Sequence, residues 1–321
     1  MGGKRKGISL IPVDTPIEEA QEIRRTKDSR DYRQAVLTAK EFKGIVMPDR
    51  KFVIRDLIAE ESMTIINGYR GLGKSMFIMA LANEVTWGGR VGPWKVERAT
   101  NAMIVDGEMP FRLLQERLKR MDGEREERNR PGELFIYPES YAYRVGLKRG
   151  NILDPIWRER LSDTVKDLAV EFLVLDNLSS LAPGIDENDK MPFDPVNRWL
   201  LELRFNGVAL SATHHTGKTG EQRGTSAHED HMDTSLLLTR PRGYKAEDGC
   251  KFVVEAIKDR DFILQGARTT LELVERGNGM LEFAASLTKR EVISLNPLMT
   301  LEEAEARGIS RRTFFRGKSG K

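Results

Sequence analysis

The run Met63 to Ser75, MTIINGYRGLGKS, limits what this chain can fold into more than any other stretch. Met63, Thr64, Ile65 and Ile66 favour a short buried strand, and the glycine-rich turn after them ends in a helix start. Gly68, Gly73, Lys74 and Ser75 fall in the spacing G-x-x-x-x-G-K-[ST], with Gly71 as a third permissive position. In such a loop the backbone N–H groups point inward at an anion. The lysine ammonium reaches the β and γ phosphates, and the hydroxyl ligates Mg²⁺. The following helix turns its positive end towards the same phosphates. The expected nucleotide site is therefore Gly68, Tyr69, Arg70, Gly71, Leu72, Gly73, Lys74, Ser75 and Met76, with ATP and Mg²⁺ as ligands; the loop alone does not exclude GTP.

Downstream, the chain alternates helix and strand patterns. KSMFIMALANEVTW is apolar all round, as a helix buried on a sheet should be, and Gly88-Gly89 end it. NAMIVDGEMP is an apolar strand that stops at Asp106, Gly107 and Glu108. RLLQERLKRMDGEREERN reads as a long helix whose charged end faces solvent. ELFIY is a strand, residues 138–153 a loop with a hairpin-like GLKRGN, and DPIWRERLSDTVKDLAV a helix with Pro155 in its first turn. EFLVLD, the amphipathic VNRWLLELRFNG and VALSATHH complete the alternation. Continuously apolar strands separated by helices imply an α/β fold, a mostly parallel sheet covered on both faces. After a polar loop, SLLLTR, CKFVVEAIKD and LELVERGNGMLEF follow without helices. The last is a hairpin around Gly277-Asn278-Gly279, so antiparallel edge strands are expected there.

Three parts are expected: an accessory arm over 1–45, an ATPase core over 46–285, and a basic tail over 286–321. The arm packs on a neighbouring subunit or is a partly disordered leader. From Ser286 onwards eight basic residues face four acidic ones, whereas the whole chain carries only +3. Thr300 with Glu303 makes a capping box, Gly308 breaks the helix and Ser310 can cap a second one. This is helix-turn-helix grammar with Arg311, Arg312 and Arg316 on the second helix, or a plain pair of capping helices. With 321 residues, 39% of them hydrophobic, the chain can bury a large core. Its one cysteine, Cys250, excludes a disulfide framework, and no zinc-ligand spacing appears. No apolar run approaches bilayer length and MGGKRKG is no signal core, so a soluble cytoplasmic protein without a membrane partner is expected.

Hydrolysis of a γ phosphate needs a held metal, an oriented water and positive charge on the transition state. Asp176 closes an apolar strand and is placed as the metal carboxylate together with Ser75. Asn177 follows it, not glutamate, so the water-activating carboxylate must come from elsewhere. Glu108 is the first choice and Asp106 the competitor, since strand ends are where open α/β sheets place ligands. His214 and His215 end a strand where a side chain can sense the γ phosphate, although a histidine there can also be structural. Arg223 is either an arginine finger for a neighbouring subunit or an ordinary solvated arginine.

The ordered motifs GYRGLGKS, IVDGEMP, LVLDNLSSL, HHTGKTG and RGTSAHEDHMDTSLLL resemble the RecA-like ATPases of the plasmid RepA-type hexameric helicase family, over about Lys51 to Asp261. The resemblance implies a ring of six subunits, with ATP between neighbours and single-stranded DNA in a central channel. It also implies contact with a primase or replication initiator. It assigns Lys74 and Ser75 to phosphate and metal, Glu108 to the base, Asp176 to the metal, His214 or His215 to the sensor and Arg223 to the finger. Loops from Gly184 to Pro195 and Thr216 to Asp230 would face the channel, with Lys218 as a phosphate contact. The resemblance does not extend to the arm or the tail, where Arg311 and Arg312 are DNA contacts on the helix-turn-helix reading alone. The acidic residues Asp186, Glu187, Asp189, Glu221, Glu229 and Asp230 depart from that pattern. A RecA-like recombination or repair ATPase and a nucleotide-switched DNA-binding regulator are the alternatives.

Overall fold

The computed structural model describes residues 35–183, 193–215, 231–260, 264, 267–285, 300–306, 310, 311, 314 and 315. The chain forms two compact units, 1–51 and 52–321. In the first, α1 (Ala39–Gly44) starts at a capping box. Thr38 Oγ1 accepts from Glu41 N at 3.2 Å, and Glu41 Oε2 accepts from Thr38 N at 2.7 Å.

The second unit opens with the short antiparallel pair β1 (Phe52–Ile54) and β2 (Ile58–Ala59) and continues into β3 (Met63–Gly68) and α2 (Lys74–Trp87). After a second small pair, β4 (Arg90–Val91) and β5 (Trp94–Lys95), come β6 (Ala102–Asp106), α3 (Phe111–Asp122), β7 (Leu134–Pro138) and α4 (Glu139–Arg144). Then follow α5 (Pro155–Asp167), β8 (Phe172–Asp176), α6 (Leu178–Leu181), α7 (Asp194–Phe205) and β9 (Ala209–His215). β10 (Thr234–Thr239), β11 (Lys251–Asp259), β12 (Arg268–Glu275) and β13 (Leu281–Ala285) close the main sheet, and α8 (Leu301–Ala306) follows.

The nine strands lie in the order β13-β12-β11-β10-β3-β9-β8-β6-β7. From β10 to β7 every pairing is parallel, and from β10 to β13 antiparallel. Side chains of a strand alternate between its faces. Ile66, Ile104 and Val174 therefore pack with α2 and Phe77, while Ile65, Val105 and Leu175 pack with Leu161 of α5 and Trp199 of α7. Both faces are covered, which is why these strands read as unbroken apolar runs.

Four expectations are corrected. SLLLTR is not an antiparallel edge: β10 runs parallel to β3 and directly beside it, and the antiparallel part begins at β11. Residues 138–153 are not all loop, because α4 occupies Glu139–Arg144; GLKRGN contains no strand. The helix after β6 stops at Asp122, where Gly123 takes φ +58°. Its charged end does not simply face solvent. Asp122 is buried and accepts from Asn83 Nδ2 at 3.0 Å, Trp87 Nε1 at 2.9 Å and Arg130 at 2.9 Å. Arg125 and Arg130 stack on the Trp87 ring at 4.7 and 4.4 Å. The charges are paired with one another, so burial is tolerated.

Candidate active site

β3 delivers the chain to a tight loop, and α2 leaves it at Lys74. Gly73 holds φ +106°, a conformation that glycine adopts without a Cβ penalty. A Cβ at Gly73 would also collide with Cys250 Sγ, and one at Gly68 would lie 2.8 Å from Leu72 Cδ1. Lys74 is buried, and its Nζ donates to the carbonyls of Gly68 at 2.6 Å and Tyr69 at 3.0 Å. Burial lowers its pKa to about 8, against the opposing pull of the Asp176 and Glu108 carboxylates.

The parallel register places Asp106 opposite Asp176, both at the carboxyl ends of their strands. By alternation both lie on the α2 face. Asp176 accepts hydrogen bonds from the hydroxyls of Thr213, on β9, and Ser75, on α2. Its pKa is raised by burial in spite of those donors and of Lys74. Asp106 Oδ1 accepts from the backbone N–H of Glu108 at 3.2 Å and Met109 at 2.6 Å, which fixes the turn that carries Glu108. Its Oδ2 is buried without a hydrogen-bond partner. Burial, and then the neighbouring Asp176 and Glu108 carboxylates, push its pKa up to about 6. Ser75 and Asp176, a hydroxyl and a carboxylate already in contact, are the hard oxygen donors that suit Mg²⁺.

Glu108 projects from that turn with 64% of its side chain exposed. Asn177, the residue after Asp176, donates from Nδ2 to Glu108 Oε2 at 2.7 Å and stands 3.3 Å from His215 Nε2. The Asn177 amide is itself oriented, because its Oδ1 caps α6 by accepting from Ser180 N at 2.9 Å. Glu108 and His215 lie 4.0 Å apart. The two histidines thus part company: His215 lines the cleft, whereas His214, one residue earlier, points to the opposite face and is buried opposite Asn67.

These residues surround a cleft of about 560 Å³, within the range of small-ligand sites. Arg70, Met76, Asp106 and Glu108 line it together with Lys74, Ser75, Asp176 and His215. Sequence reasoning missed what supports the loop from the side of β10. Arg240, just past β10, donates to the Gly71 carbonyl at 2.9 Å and to that of Lys251 at 2.7 Å, and it stacks on Tyr244 at 4.0 Å. Cys250 and Gly249, which sequence reasoning likewise missed, line the cleft, and burial pushes the Cys250 thiol up to about 11. The signal for Arg240 was a polar residue at a strand end, but it depended on β10 lying parallel beside β3. Arg311 is exposed and is not among the residues lining the cleft, and Phe314 is buried. Arg223, Lys218 and Arg312 lie outside the described residues. No cluster of three or more His, Cys, Asp or Glu suited to holding a metal occurs among the described residues. Nor is any helix there long and apolar enough to cross a membrane.

A family model for the AAA domain matches residues 28–221. The chain belongs to the AAA domain family. Among solved structures, this AAA domain is similar to a KaiC-like protein from Pyrococcus horikoshii OT3. The identity is 16%, with a TM-score of 0.50 over 73% of this chain and 94% of that one. The flagellar accessory protein FlaH from Methanocaldococcus jannaschii matches at 12% identity and a TM-score of 0.48, over 72% and 92% of the two chains. No curated protein matches the sequence. The fold of this AAA domain is the RecA-like P-loop ATPase core, a mostly parallel sheet with the phosphate loop at the end of β3.

Proposed function

We propose that this chain is an ATP-driven motor on single-stranded DNA. In that reading it is a replicative helicase of a plasmid, phage or other mobile element, working as a ring of subunits with residues 1–45 and 286–321 as accessory parts. The observation that carries the reading is the set Glu108, Asn177 and His215 beside the phosphate loop. The carboxylate that orients water comes from the end of β6, and the residue after Asp176 holds it. His215 touches the same group and is where β9 leaves the sheet. Lys74 and the N–H groups of the loop hold the phosphates; Ser75 with Asp176 would hold Mg²⁺, whose charge would offset that of the phosphates. Glu108 accepts the proton of the attacking water, and His215 senses the γ phosphate. Arg223 of a neighbouring subunit serves as the finger, and Lys218, Arg311 and Arg312 contact DNA.

The deciding experiment measures ATP hydrolysis with and without single-stranded DNA across salt concentrations, with particle mass recorded in the same buffer. Stimulation that falls steeply with salt, in a particle of several subunits, is the expected result. A monomer or dimer whose turnover ignores DNA would overturn the motor and leave a nucleotide-dependent switch.

A further inference from the structure

A second cleft, of about 490 Å³, lies between β7 and α5 on the sheet face that carries α7. Its floor is aromatic. Tyr137 and Trp157 meet edge to face with centroids 6.3 Å apart and an interplanar angle of 79°, and the Trp157 indole N–H donates to the Tyr137 phenol. Its rim is cationic, with Lys148 and Arg149 on the loop after α4 and Arg160 on α5. Asp154 is the only carboxylate among the lining residues, and it is committed to capping α5, accepting from Ile156 N at 2.9 Å. The rim loop is pinned at both ends, by Leu147 N to the Ala142 carbonyl at 3.0 Å and by Gly150 N to Glu139 Oε1 at 2.8 Å. Apolar side chains stand open at the mouth, Leu147 51% and Ile156 57% exposed.

A solvated charged edge has no use for an open aromatic floor, and an apolar ligand has none for three cations. A base on an aromatic platform with its phosphates among lysine and arginine satisfies both. We propose that this cleft is a nucleic-acid site separate from the phosphate loop: it takes one nucleotide unit of a single strand, with the base against Trp157 and the flanking phosphates on Lys148, Arg149 and Arg160. The proposal rests on the reading that single-stranded DNA is a partner, and it adds where one contact is made.

The test uses the full chain, fluorescein-labelled oligo(dT) and a slowly hydrolysed ATP analogue with Mg²⁺, followed by anisotropy and by intrinsic tryptophan fluorescence. Lys148→Glu with Arg149→Glu, both exposed and neither among the residues lining the phosphate-loop cleft, should weaken oligo(dT) binding about tenfold or more at low salt while leaving basal ATP hydrolysis and the melting temperature unchanged. Trp157→Phe, which keeps an aromatic packing group, should remove most of the tryptophan quenching and weaken binding several-fold. If the wild type fails to bind oligo(dT), the DNA partner itself is lost and this site with it. If it binds with unchanged tryptophan fluorescence and the double variant binds equally well, the proposed motor stands and the site is overturned, leaving the cleft to a protein partner.

Discussion

Asn177 donates its side-chain amide to Glu108 across 2.7 Å, joining the residue after Asp176, where β8 ends, to the carboxylate that follows β6. Asn177→Asp keeps the acceptor that caps α6 but replaces the donor with an oxygen that repels Glu108. Steady-state turnover should fall at least tenfold while ATP affinity stays within about twofold, since a group acting through another affects kcat more than binding. Asn177→Ala should in addition cost about 1 kcal/mol of stability for the lost cap, read from urea denaturation. Normal turnover in both variants would release Glu108 from this dependence.

Glu108→Gln should bind ATP and lose hydrolysis by about 100-fold or more, within the range for removal of a general base. Asp106→Asn removes a carboxylate that holds a turn, and a smaller loss is expected there. The reverse order in single-turnover assays would transfer the role of base to Asp106.

Cys250 is the only thiol in the chain, so alkylation reports on one site. Burial stabilises its neutral form and pushes its pKa up to about 11. Because the thiolate is the reactive species, labelling by iodoacetamide should be slow at pH 8 and keep rising towards pH 11, whereas the unfolded chain should level off near 9. A native plateau near pH 9 would contradict the burial seen beside the loop.

Asp122→Ala should be one of the more damaging surface-distant substitutions. It removes one of the two carboxylates paired with Arg130, whose side chain is only 4% exposed and which keeps Glu127, Asn83 and Thr86, and it leaves the Asn83 amide and the Trp87 indole N–H without their buried acceptor. About 3 kcal/mol is expected in denaturant unfolding, as for other broken buried pairs. A loss below about 1 kcal/mol would mean that water replaces the lost carboxylate, with Arg130 held by Glu127, Asn83 and Thr86.

The phosphate loop, the helix that leaves it and the carboxylates at strand ends were legible because each rests on local spacing: glycines that permit a tight turn, a lysine at a helix start, an apolar run that stops at Asp106 or Asp176. What was not legible depends on which strands become neighbours. Periodicity shows that SLLLTR is a strand, yet nothing local says that it returns parallel to β3, so Arg240 could not be placed over Gly71. The division between His214 and His215 follows from alternation, but only once the buried face of β9 is known. Likewise the charge-rich run after α3 looks like a solvated end. Only the approach of Asn83, Trp87 and Glu84 from another helix turns it into a buried network.

β9 lies between β3 and β8 in the sheet. Two of its last three residues lie on the α2 face, the buried Thr213 bonding Asp176 and His215 reaching the Asn177–Glu108 pair. A shift of this strand would therefore disturb Asp176 and the Asn177–Glu108 pair at once. One strand thus sets the spacing between the cleft's two carboxylate-bearing turns, as a ruler does.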